Sequence, residues 1–129
     1  MGYYTRASGE LEIQPSLTWT EIKDTPFLVN DNDNDNLWIV DVEEEQEDVE
    51  GGLLIHRRGT AVVPRYGDES RKYYDAETDL NQLVQTFPGH EFIGYFELVG
   101  EDGERSRLKV INGRVKRFEP RLVWPEGSE

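Results

Sequence analysis

Three chemistries are invited by the residue types of this 129-residue chain: a calcium loop, a histidine base and a basic strand face. Asp31, Asp33 and Asp35 stand at the 1, 3, 5 spacing by which an EF-hand loop wraps oxygens around its ion. The match then fails. Position 6 is Asn36 rather than Gly, position 12 is Val42 where the bidentate Glu belongs, and the flanks read as strand. With Asp41 or Glu43 as a substitute ligand, calcium binding no tighter than roughly millimolar is expected.

The inventory for catalysis is thin. There is no Cys, and the only histidines are His56 and His90. His56 lies in a predicted strand beside Arg57 and Arg58. His90, with Glu91, follows the Pro88-Gly89 break and would present a base at a strand start, yet no Ser, Cys or third ligand accompanies it. Gly100 to Gly103 encloses Glu101 and Asp102 and opens no helix, so it would repel phosphate. Neither a catalytic site nor a cofactor is expected.

Arg105, Arg107 and Lys109 alternate with Ser106, Leu108 and Val110, which puts three cations on one strand face, and Arg114 and Lys116 follow on the paired strand. Basic sheet faces with aromatic platforms hold single-stranded RNA in some modules, but the aromatic motif is missing here. The alternative is a solvent face whose cations pair with neighbouring acids.

Charge is segregated along the chain. The net charge is −13, and the window from Glu10 to Glu50 alone holds 14 acids against Lys23. Within it, Glu43, Glu44, Glu45, Glu47, Asp48 and Glu50 form the densest run. Such concentration costs self-repulsion and raises a negative field that steers encounter with a basic surface. These six residues are therefore the candidate contact for a basic protein partner, or an imitation of nucleic-acid charge. Duplex DNA and anionic membranes, which need a basic footprint, are not expected partners. The chain shows no run of about 18 apolar residues and no basic-then-apolar leader, so a cytoplasmic protein is expected.

The elements that must position these residues follow from pattern. Leu11 and Ile13 alternate with Glu10 and Glu12 in a first strand that should end at Pro15. Thr18 and Glu21 have capping-box spacing, starting a short helix that stops before Pro26, with Trp19 and Ile22 on one face. Residues 30–36 are an Asn/Asp loop. Two strands then flank Gly51-Gly52, with Trp38, Val40 and Val42 on one face of the first and Leu53, Ile55, Ala61 and Val63 on one face of the second. Ala76, Leu80, Leu83, Val84 and Phe87 make the apolar stripe of a helix capped at Asp75 and ended by Pro88-Gly89. Residues 92–99 read as a central strand, and Asn112-Gly113 turns a final hairpin. The order β-α-β-β-α-β-β-β in one α+β domain predicts a ferredoxin-like split β-α-β sandwich, with two helices on one face of an antiparallel sheet and an added C-terminal hairpin.

The segments Gly2-Tyr3-Tyr4-Thr5-Arg6, Ser8 to Ile13, Leu17 to Ile22, Phe87 to Phe92 and Val123-Trp124-Pro125 resemble a family of small uncharacterised acidic proteins from actinobacteria and their phages. The resemblance spans nearly the whole chain. It implies a phage or bacterial accessory protein with no assigned activity and carries over no functional residue. The combined expectation is a non-catalytic binding or inhibitor protein that docks through its acidic third. The alternatives are a small-ligand or calcium-binding module, and a single-stranded nucleic-acid binder acting through the basic hairpin.

Overall fold

The computed structural model describes residues 4–28, 36–67 and 69–120. Eight elements follow one another in the expected order: β1 (Thr5–Thr18), α1 (Trp19–Ile22), β2 (Trp38–Val49), β3 (Gly52–Pro64), α2 (Ala76–Thr86), β4 (Glu91–Gly100), β5 (Arg105–Ile111) and β6 (Arg114–Phe118). All six strands join one antiparallel sheet in the order β2-β3-β1-β4-β5-β6.

The layering departs from the expected ferredoxin-like sandwich. This is a sheet-dominated fold, because strands of 5 to 14 residues face helices of only 4 and 11. The reason lies between Pro15 and Pro26. β1 does not stop at Pro15 but runs on to Thr18, through an irregularity between Glu12 and Leu17 where the β1–β3 ladder asks nothing of the proline nitrogen. Only one helical turn is left before Pro26. The capping box itself forms as its spacing requires, with the Glu21 N–H donating to Thr18 Oγ1 at 3.2 Å and the Thr18 N–H donating to Glu21 Oε1 at 3.0 Å.

α2 is the principal cover of the sheet's inner face. Its Leu80, Leu83, Val84 and Phe87 share one buried cluster with Trp38, Val40, Leu11, Phe96 and Leu108. Trp38 stacks on Phe96 at 4.3 Å between ring centroids and donates its indole N–H to the Ala76 carbonyl at 3.0 Å, tying β2 to the start of α2. At the far end Gln85 donates to the Gly113 carbonyl, and Asn81 Oδ1 accepts the Val115 N–H. The sheet thus curls around α2, which touches both terminal strands, β2 and β6.

The outer face is covered over Ile39 and Ala61 but left open on β4, β5 and β6. On β4 the side chains alternate cleanly: Phe92, Phe96 and Leu98 are buried, while Ile93 and Tyr95 are exposed. No helix among the described residues is long and apolar enough to cross a membrane.

Candidate functional site

The acidic run lies on a projecting arm. β1 pairs with β3 only as far as Thr18 opposite Arg58, whereas β2 and β3 continue to pair with each other until Val49 opposite Gly52. Residues 44–57 are therefore a two-stranded ribbon standing clear of the sheet. Glu43, Glu44, Glu45, Glu47, Asp48 and Glu50 are all exposed on it.

The register sorts the arm into two faces. Glu43, Glu45 and Glu47 stand opposite Arg58, His56 and Leu54, and Glu44, Gln46 and Asp48 stand opposite Arg57, Ile55 and Leu53. Cross-strand ion pairs follow, Arg57 to Glu44 at 2.9 Å and Arg58 to Glu43 at 3.5 Å, and His56 Nε2 lies in hydrogen-bond contact with Glu47 at 3.2 Å. The Arg57 hydrogen bond holds the Glu44 carboxyl below its ordinary range. Part of the negative field is thus compensated locally, by cations that the sequence shows but whose register it does not. Asp48 and Glu50 have no ion pair among the described residues.

Leu53 and Ile55 do not extend the core face, as their alternation with Ala61 and Val63 led one to expect. They are 53% and 44% exposed, Leu54 is 43% and Val49 is 41%. The inward side chain further along β3 is Val62, and Ala61 is buried on the other side. A register shift at Thr60 puts Leu53 and Ile55 on the opposite face from Ala61 and Val63, and beyond Arg57, whose guanidinium lies over Trp19 at 5.2 Å, no described element covers either face.

The predicted basic face exists. Arg105, Arg107 and Lys109 share the open side of β5, and Arg114 and Lys116 stand opposite Ile111 and Lys109 on β6. Glu97 holds Arg105 at 2.8 Å and Arg107 at 3.8 Å, and the Arg107 guanidinium lies over Tyr95 at 4.4 Å. Lys109, Arg114 and Lys116 have no ion pair among the described residues.

His90 is not placed to act as a base. Its Nδ1 lies 2.6 Å from the Pro15 carbonyl and its Nε2 lies 2.8 Å from Glu21 Oε2, so both ring nitrogens are engaged and none is left for a substrate. The pair joins β1, the α1 cap and the start of β4 across 69 residues of sequence, a contact without a local signal. The Thr18 backbone N–H, reinforced by His90, lowers the Glu21 carboxyl from its ordinary value.

Asp31, Asp33 and Asp35 lie outside the described residues. Among the described residues no three His, Cys, Asp or Glu side chains gather as a metal site. A cleft of about 280 Å³ lies beside Tyr73, Ser106 and Arg117. The Tyr73 hydroxyl is pushed up to about 12 by burial, has no hydrogen-bond partner and has almost no accessible surface, so it offers a ligand nothing.

What the described residues present is two charged surfaces, one on the arm and one on the last two strands. One family's sequence profile matches residues 1–129. The chain belongs to DUF6205, a family of unknown function. No curated protein and no solved structure matches it. The DUF6205 match covers every residue on the arm and on the basic face.

Proposed function

We propose that this DUF6205 protein is a non-catalytic docking protein whose β2–β3 arm grips a basic protein surface with an apolar centre. The observation that carries this reading is the arm's composition where the fold asks nothing of it. Val49, Leu53, Leu54 and Ile55 expose apolar surface at the end of a ribbon that, beyond the Arg57–Trp19 contact, no other described element covers, and acids flank them. Clustered exposed apolar side chains ringed by charge are the ordinary anatomy of an interaction surface. The resemblance to acidic proteins of actinobacteria and their phages gives the setting, an accessory protein acting on a cellular one in the cytoplasm.

The test is affinity capture with the wild-type chain and with the quadruple variant Glu43→Gln, Glu44→Gln, Glu45→Gln, Glu47→Gln. Capture at low salt should select a basic protein. Binding by the quadruple variant should fall about tenfold at low salt and much less at 1 M, where the Debye length is about 3 Å. Equal capture by both proteins at low salt would refute the docking role of the arm.

A further inference from the structure

The ten exposed large hydrophobic residues among those described are not scattered. Four sit on the arm, Leu53 and Ile55 on one of its faces and Val49 and Leu54 on the other, and four on the open face of β4, β5 and β6 (Ile93, Tyr95, Ile111, Phe118). The first patch is rimmed by acids, with Asp48 and Glu50 unpaired, and the second by cations, with Lys109, Arg114 and Lys116 unpaired among the described residues. Lys109 and Lys116 are direct cross-strand partners. Like charges so placed repel one another, and a counter-charge docked on this face would relieve them.

We infer that the basic surface gripped by the arm is the open β4–β5–β6 face of a second copy of this chain. This deepens the docking reading above and rests on it. The arm face that carries Leu53 and Ile55, flanked by Glu44 and Asp48, matches the open face in kind, apolar centre to apolar centre and acid rim to basic rim. The net charge of −13 opposes self-association at long range. At physiological ionic strength, however, repulsion beyond about 8 Å is largely screened, while contacting rims are not. At the strand edge of β6 the Val115 N–H is already taken by Asn81 Oδ1, and the charges and apolar side chains invoked here lie on the face of the sheet, not on that edge.

Sedimentation of the full chain at 20 mM and 500 mM salt tests this with two charge-swapped variants. Asp48→Lys with Glu50→Lys makes the arm tip basic, and Lys109→Glu with Lys116→Glu makes the face acidic. The wild type should associate at low salt and lose about tenfold in affinity at high salt. Each variant alone should be weaker by tenfold or more, and mixing the two should restore association, because each new arm then meets a face of opposite sign. A chain monomeric at millimolar concentration, or a mixture no stronger than its components, overturns the second copy as partner. Circular dichroism of each variant checks folding, and Leu53→Ser with Ile55→Ser, which leaves all charges in place, should weaken association as well. Loss of a different captured protein by the Gln variant, with the chain itself monomeric, would leave the docking reading standing. Unchanged behaviour of the arm variants in both assays sinks both.

Discussion

Adding a single methyl at Gly59 probes the root of the arm, where β3 leaves β1. Gly59 pairs with Leu17 on one side and Val42 on the other, beside the register shift of β2 between Asp41 and Val42. A Cβ there would lie 2.6 Å from Val40 Cγ1, 3.3 Å from Leu17 Cβ and 3.5 Å from Ile22 Cδ1. Carbon atoms prefer about 3.5 to 4.0 Å, so the Val40 contact is roughly 1 Å too short. Relief is hard to find. Val40 is β-branched and stiff at χ1, and the Leu17 Cβ is fixed to its backbone. Overpacking of this kind costs about 1 to 3 kcal/mol, against which alanine regains about 0.5 to 1 kcal/mol of the chain entropy that glycine loses in a strand. The net expectation for Gly59→Ala is a loss on the order of 1 to 2 kcal/mol in urea denaturation followed by tryptophan fluorescence. The decisive measurement is the cycle with Val40→Ala, which empties the contested space. The double variant should be more stable than the sum of the single losses predicts, by roughly 1 kcal/mol. Gly59→Ala as stable as wild type, with coupling below about 0.3 kcal/mol, would show that the arm root yields freely and that the packing argument is wrong.

Leu83, fully buried on α2, should cost about 2 to 5 kcal/mol on replacement by Ala, and a loss under half a kcal/mol by urea denaturation would remove α2 from the core. Tyr73→Phe should be neutral or stabilising in a thermal melt, because it deletes a buried hydroxyl without a partner and keeps the ring against Trp38; a marked loss would mean that the hydroxyl is paired. Glu21 has a lowered folded pKa, so its contribution is complete above the unfolded value of 4.5 and fades as pH falls through the folded one. Glu21→Gln should therefore flatten the stability curve below pH 4.5 relative to wild type, and an unchanged acid limb would refute the link.

Much of the local structure was legible in the residues. The capping box at Thr18, the apolar stripe of α2 and the Asn112-Gly113 turn each depend on neighbours within a few positions, and each stands where its spacing put it. The cations of β5 and β6 share a face because strand alternation and a tight turn are enough to place them together. What periodicity cannot report is whether a face is covered. Leu53 and Ile55 alternate as core residues do, yet the ribbon carries them past the end of β1 into solvent. The same limit undid the expected two-layer sandwich, since a capping box marks where a helix starts and not how far it runs. The engagement of His90 by Pro15 and Glu21, and the Arg57 and Arg58 partners of the arm acids, depend on tertiary placement and on register across a long hairpin.

The curl of the sheet over α2 also limits aggregation. A flat sheet has two edges and can add strands from other molecules at both, which is how cross-β polymers grow. Here both terminal strands have part of their outer edge engaged, the Val115 N–H of β6 by Asn81 Oδ1 at 3.3 Å and the Val40 N–H of β2 by the Phe27 carbonyl at 2.9 Å, which leaves the arm portion of β2 as the longer open run of the two among the described residues. Growth by strand addition from one edge ends at two chains, when β2 meets β2. That meeting sets Glu43, Glu44, Glu45 and Glu47 against their own copies. The charges that would draw the arm toward a basic surface therefore also guard this open run of β2 against pairing with another copy.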